Sequence, residues 1–228
     1  MTGRVTYRLD SGVATIAMDD GKANVMSVAM IGDIAAALDR AERDRAVVLL
    51  TGRPRMFSAG YDLATFSGNA DDIRRTLRAG GNLVHRLLGF PFPVVAACPG
   101  HAIAQGAFLL LATDVRIGVA GDFKLGLNEV AIGLTIPHYG VEIARHRLTA
   151  PGFDRAANTG ILVAPEEARD LGFLDLLVSD ADELRTRATA EAQRLTGIDV
   201  SAYLETKLRV RAQVLAAVRS GIDAEFGG

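Results

Sequence analysis

Cysteine is nearly absent from this 228-residue chain. Cys98 stands alone, so no internal disulfide can form and no CxxC pair can hold zinc. It lies in the apolar run Val94–Cys98 and reads as a core group rather than a nucleophile. Long apolar runs are missing as well. The longest fall far short of the roughly 20 residues a membrane span needs, and Gly, Pro, His or Gln interrupts each of them. The opening stretch, MTGRVTYRLDSG, holds no apolar signal core. An excess of charge is also missing: 25 Lys and Arg stand against 27 Asp and Glu, and arginine is scattered. A nucleic-acid surface is therefore not expected. No two histidines share metal-ligand spacing with a carboxylate, so no metal is expected. A soluble cytoplasmic protein without membrane or nucleic-acid partners is the expectation.

What is present is a large apolar fraction, 49% of the chain, rich in Ala and Gly. That supports one sizeable core. We divide the chain into a core domain over 1–195 and a C-terminal helical element over 196–228. Residues 5–18 alternate and turn at Asp10-Ser11-Gly12, a hairpin. Ser27 caps a helix to about Arg43, with Met30, Ile34, Leu38 and Ala41 on one face. Strand Ala46–Thr51 leads to a loop over Phe57–Leu63. The next helix starts at Asp71 and Asp72 and carries Ile73, Leu77, Val84 and Leu88, loosened by Gly80 and Gly81. Strands Val94–Cys98 and Val115–Val119 follow. Residues 123–140 read as loop and short helix, and the chain is helical from Ala164 apart from a strand at Leu176–Ser179. The last helix runs from about Ala202 to Ile222, with Leu204, Leu208, Leu215, Val218 and Ile222 on its buried face. Strands and helices that alternate in this way imply an α/β fold.

Two stretches carry chemistry. Pro99–Asp114 reads PGHAIAQGAFLLLATD, a small-residue loop running into an apolar helix. Helix-start N–H groups lack intrahelical partners, and small residues let a ligand approach them. A second small-residue turn, Phe57-Ser58-Ala59-Gly60-Tyr61-Asp62-Leu63, follows another strand. Two strand ends with accessible N–H groups are what a two-donor oxyanion hole requires.

These residues resemble the enoyl-CoA hydratase/isomerase (crotonase) superfamily. The turn at 57–63 is similar to its F-S/A-A-G-x-D-L/I element. Gly100-His101-Ala102 through Asp114-Val115-Arg116-Ile117 is similar to G-x-A-x-G-G-G and D-x-R-I. Asn128-Glu129-Val130 through Ile136-Pro137 is similar to P-E-V-x-x-G-x-x-P. Thr159-Gly160, Ala164, Glu166-Glu167-Ala168 and Leu171-Gly172-Phe173 match a fourth element. The resemblance implies a crotonase-like spiral of ββα turns with C-terminal helices. It implies assembly as a homotrimer or a dimer of trimers, an acyl-CoA thioester as the small-molecule substrate, and no separate cofactor. It places the oxyanion donors at the backbone N–H groups of Tyr61 and Gln105.

Hydratases of that superfamily use two glutamates. Here the first position is Phe108 and only the second, Glu129, is a carboxylate. One base and an oxyanion hole suffice to move a proton from C2 to C4 of a 3-enoyl-CoA, so Glu129 as a shuttling acid/base is the leading expectation. The alternatives are a hydratase with a degenerate site, and an acyl-CoA binder without turnover. His138 is a candidate contact beside Glu129, and His101 a lesser one. His85 and His146 read as structural or exposed. Lys22, Arg55 and Lys207 are the candidate cations for CoA phosphates. Ser58, Ala59, Asp62 and Gly106 are expected near the ligand. Phe66, Leu83, Leu87, Phe108 and Leu109 are expected to line an acyl tunnel. The superfamily's basic tail is missing at Gly227-Gly228.

Overall fold

A computed structural model describes residues 3–227, with no account of the Ser67 side chain. Strands β1 (Val5–Asp10) and β2 (Val13–Met18) form the expected hairpin. Helix α1 (Val28–Arg43) is capped by Ser27, whose hydroxyl accepts from Met30 N–H, and its inner face buries Met30, Ile34, Leu38 and Ala41. Three ββα turns then repeat. The first is β3 (Val47–Thr51), β4 (Arg55–Ser58) and α2 (Ala70–Leu88). The second is β5 (Val94–Cys98), β6 (Gly100–Ile103) and α3 (Gln105–Leu111). The third is β7 (Val115–Val119), β8 (Leu125–Gly126) and α4 (His138–Arg147). After them come α5 (Ala150–Thr159), β9 (Leu162–Val163), α6 (Pro165–Leu171), β10 (Leu176–Val178), α7 (Ala181–Leu195) and α8 (Val200–Phe226).

The first strand of each turn enters a six-stranded sheet, β1-β2-β3-β5-β7-β10, parallel except at the hairpin. The second strand of each enters a small sheet, β4-β6-β8-β9. The sequence reading took 55–58 and 100–103 as loop. They pair in parallel, Arg55 with Gly100 and Ser58 with Ala102, but they are only four residues long and irregular at Met56. Strands that short leave no period to read.

Both faces of the large sheet are covered, which is why β3 and β5 read as continuous apolar runs. One face, with Val48, Leu50, Val94 and Ala96, packs under the helices of the main core. The other, with Val47, Leu49, Val95, Ile117 and Val119, packs on Leu184, Ala188 and Ala192 of α7. Helix α8 lies against α2 and α4. Its buried face is Lys207, Arg211, Val214, Val218, Ile222 and Phe226. Leu208, expected inside, is exposed. No helix of the described residues is long and apolar enough to cross a membrane.

Candidate active site

The two small-residue turns meet. Gly60, at φ 89°, is packed against the second loop: a Cβ there would lie 2.9 Å from the Ile103 carbonyl and 3.4 Å from Gln105 N. Ala104 holds φ 51° and ψ −120°, a strained conformation for a residue with a side chain, and it turns β6 abruptly into α3. Among the described residues, neither the Tyr61 nor the Gln105 N–H finds an acceptor. The first turn is tied down from outside. Asn24 donates to the carbonyls of Met18 and Phe57, Ala59 N–H donates to Ala23 O, and Met26 N–H donates to Gly60 O. Ser58 spends its hydroxyl on protein partners, donating to Asn24 O and accepting from Gly60 N–H. Gly106 packs on Ser58, where a Cβ would come within 2.5 Å of the Ser58 carbonyl. Asp62 caps the 3-10 turn Leu63–Ser67 by accepting from Ala64 N–H.

Glu129 opens the 3-10 turn Val130–Ile132 and is 7% exposed. Its Oε2 is buried without a hydrogen-bond partner. Burial pushes its carboxyl up from 4.5 to about 7, offset in part by its own backbone N–H. A buried carboxyl poised near neutrality has the acidity a proton shuttle needs. The Glu129 charge reaches the hydroxyls of Tyr61 and Tyr139, whose ionisation burial already opposes.

Those two phenols form a network that sequence reading missed. Tyr61 and Tyr139 hydroxyls lie 2.7 Å apart, Tyr139 donates to Gln105 Oε1 at 2.9 Å, and Gln105 Nε2 donates to Gly80 O at 3.1 Å. His138, the expected neighbour of Glu129, is exposed; its backbone N–H donates to Glu225 and its Cβ faces α8. Pro137 caps α4, so the helix begins with His138 outward and Tyr139 inward. Tyr139, beside His138, points into the core.

The expected acyl-tunnel residues are buried or packed on aromatic neighbours. Leu83, Leu87, Phe108 and Leu109 are core residues, none more than 3% exposed. Phe108 meets Tyr139 edge to face, with ring centroids 5.9 Å apart. Phe66 meets Tyr61 in the same way at 6.2 Å.

Of the candidate cations, Lys22 is exposed in a loop pinned by the Asp20 carboxylate, next to the Ala23–Ala59 tie. Arg55 is exposed, with its guanidinium 4.8 Å above the Phe123 ring. It also borders a cavity of about 780 Å³ between the large sheet and α7, which Glu129 does not line. His101 accepts from Lys124 N–H through Nδ1 and packs on Phe123. Lys207 is a correction. Its ammonium donates to Phe90 O, Asp114 Oδ2 and the Tyr203 hydroxyl, so its three protons are used inside the protein. Burial pushes it down to about 8, against the pull of Asp114. Among the described residues, no three His, Cys, Asp or Glu side chains gather where a metal ion could bind.

Comparison with known proteins identifies the family. The family model "Enoyl-CoA hydratase/isomerase" matches residues 8–226. A putative enoyl-CoA hydratase of Thermus thermophilus is 34% identical over 226 residues, 94% of this chain and 84% of that protein. A crystal structure of an enoyl-CoA hydratase/isomerase family protein from Pseudomonas syringae superposes with a TM-score of 0.95 at 45% identity, covering 98% of this chain and 96% of that one. The apo structure of an enoyl-CoA isomerase from Mycobacterium tuberculosis gives 0.94 at 40% identity and covers 98% of each chain. The chain belongs to the enoyl-CoA hydratase/isomerase family, and it is an enzyme of that family with the crotonase fold.

Proposed function

We propose that this protein is a 3,2-enoyl-CoA isomerase working with a single carboxylate. The observation that carries the reading is Glu129, buried, without a partner at Oε2 and close to neutral in acidity, on a chain with Phe108 where a second carboxylate would stand. The thioester carbonyl of a 3-enoyl-CoA sits between the N–H groups of Tyr61 and Gln105. The Glu129 carboxylate takes a proton from C2. The freed electron pair passes to the thioester oxygen and forms an extended enolate, which the two N–H groups hold. Protonated Glu129 then returns its proton to C4, and the double bond ends between C2 and C3. Atoms balance without water or a cofactor. Each oxyanion donor is worth about 3–4 kcal/mol to the transition state in such sites. Lys22 and Arg55 remain free to meet CoA phosphates, and a homotrimer is the assembly proposed.

The test is incubation with a 3-enoyl-CoA and a 2-enoyl-CoA in deuterated water, with wild type and Glu129→Gln. Migration, with any solvent label entering at C4 where Glu129 delivers its proton, and lost in the variant, is the expected result. Hydration of the 2-enoyl-CoA without migration would make the protein a hydratase. Binding without product or label would make it an acyl-CoA binder.

A further inference from the structure

The acyl group of a thioester held in this way must pass Glu129, and the Tyr61 and Tyr139 hydroxyls stand close enough to feel the Glu129 charge. Tyr61 crosses from its turn to α2, where Gly80 makes room: a Cβ at Gly80 would lie 1.8 Å from the Tyr61 hydroxyl. Tyr139 arrives from α4 and Gln105 from α3. The hydrogen bonds among them run one way. The Gly80 carbonyl can only accept, so it holds the Gln105 amide nitrogen. Gln105 Oε1 then faces Tyr139 and takes its proton. The Tyr139 oxygen has only lone pairs left, so Tyr61 donates to it. Tyr61 is thereby fixed at both its ring and its hydroxyl, and it presents a polar edge to whatever lies beside Glu129.

Behind this front the space is filled. The Phe108 ring stands 5.9 Å and the Phe226 ring 6.3 Å from that of Tyr139. Gly81 is tight against Ile222 and Tyr139, at 2.9 and 3.0 Å from a built Cβ. A long hydrocarbon tail would have to displace packed rings and bury itself against phenol oxygens and an amide. Both are costly.

We propose that Tyr61, latched to Tyr139 and Gln105, is the specificity-determining residue that restricts this site to short acyl groups. The proposal rests on the thioester placement given above. It concerns the Tyr61 side chain, whereas the proposed oxyanion donor is its backbone N–H, which any substitution except proline retains.

The experiment measures kcat/KM for 3-hexenoyl-CoA and 3-dodecenoyl-CoA with wild type, Tyr61→Ala and Tyr61→Phe. The ratio between the two substrates cancels any disturbance of the oxyanion hole common to both. Wild type should prefer the hexenoyl thioester by more than about tenfold. Tyr61→Ala should raise the dodecenoyl-to-hexenoyl ratio by at least about tenfold, chiefly through KM of the long substrate. Tyr61→Phe keeps the ring but loses the hydroxyl that joins it to Tyr139, and should raise the same ratio by less than Tyr61→Ala does. If Tyr61→Ala does not fold, Tyr61→Leu takes its place. Equal use of both substrates by wild type, or an unchanged ratio in the opened variant, overturns the proposal. Should wild type migrate neither double bond, the isomerase reading fails on its own. Calorimetric binding of hexanoyl-CoA and dodecanoyl-CoA to the same proteins then decides the latch: tighter wild-type binding of the long thioester refutes it.

Discussion

Replacing Glu129 with glutamine should remove the proposed activity and change how stability depends on pH. In the fold the carboxyl rises from 4.5 to about 7 because it is buried. A carboxyl whose folded value is raised binds its proton more tightly when native than when unfolded. Stability is therefore full below about 4.5 and falls as pH climbs through the window up to about 7, where the native state too must ionise. Each tenfold change in proton affinity is about 1.4 kcal/mol, so wild type should lose about 2–3 kcal/mol between pH near 5 and pH near 8.5 from this group alone. Glutamine does not titrate, and any cost of its amide in the same place is the same at both pH values. The assay is urea unfolding of both proteins at the two pH values, read by circular dichroism. The stability of the variant relative to wild type should improve by about 2–3 kcal/mol on going to the higher pH, or by several degrees in Tm for a chain of this size. Unfolding curves that stay parallel in pH would refute the burial argument, and with it the proposed base. The same carboxyl predicts that wild-type kcat/KM rises with pH through about 7.

Three further outcomes follow from the packing. Asp114→Asn removes the carboxylate that joins Lys207 and Arg211, at 3.1 and 2.8 Å, and leaves two buried cations facing an amide; a loss of about 3–5 kcal/mol in denaturant unfolding is expected. Lys207→Met should lower Tm while calorimetric CoA affinity of the folded protein stays within about twofold, because that ammonium is spent on internal partners. Ala104→Gly should relieve the positive φ and stabilise the fold by about 1 kcal/mol in the same unfolding assay.

The backbone part of the site was legible in the sequence because its roles demand small residues. Gly60, Ala102, Ala104 and Gly106 stand out in any reading, and the structure brings those two turns together. The longer elements were legible for a different reason: α1 and α2 carry polar caps, Ser27 and Asn69, and a repeating apolar face. The side-chain wall was not. Tyr139 has no motif of its own, and whether it points inward depends on where α4 begins, which Pro137 decides. Gly80 and Gly81 read as a weak spot in a helix, whereas each is the place where another side chain crosses it. For α8 an apolar periodicity chose Leu204 and Leu208 and missed Lys207 and Arg211, which are buried because Asp114 meets them. One signal could have found them. Lys207, Arg211, Val214 and Val218 recur at helical spacing, and Asp114 follows an apolar helix while the nearby Arg116 pairs with Asp175 instead.

That ion pair also sets an order of events. Asp114 sits between α3 and β7, and its oxygens bind Val94 N–H, Tyr203, Lys207 and Arg211. Two of its partners are cations about ninety residues further along the chain, on the final helix. During synthesis the ββα turns emerge first and Asp114 with them, while Lys207 and Arg211 follow only with α8. A chain cut short before α8 keeps both small-residue turns in its sequence but lacks the two cations that meet Asp114 in the fold.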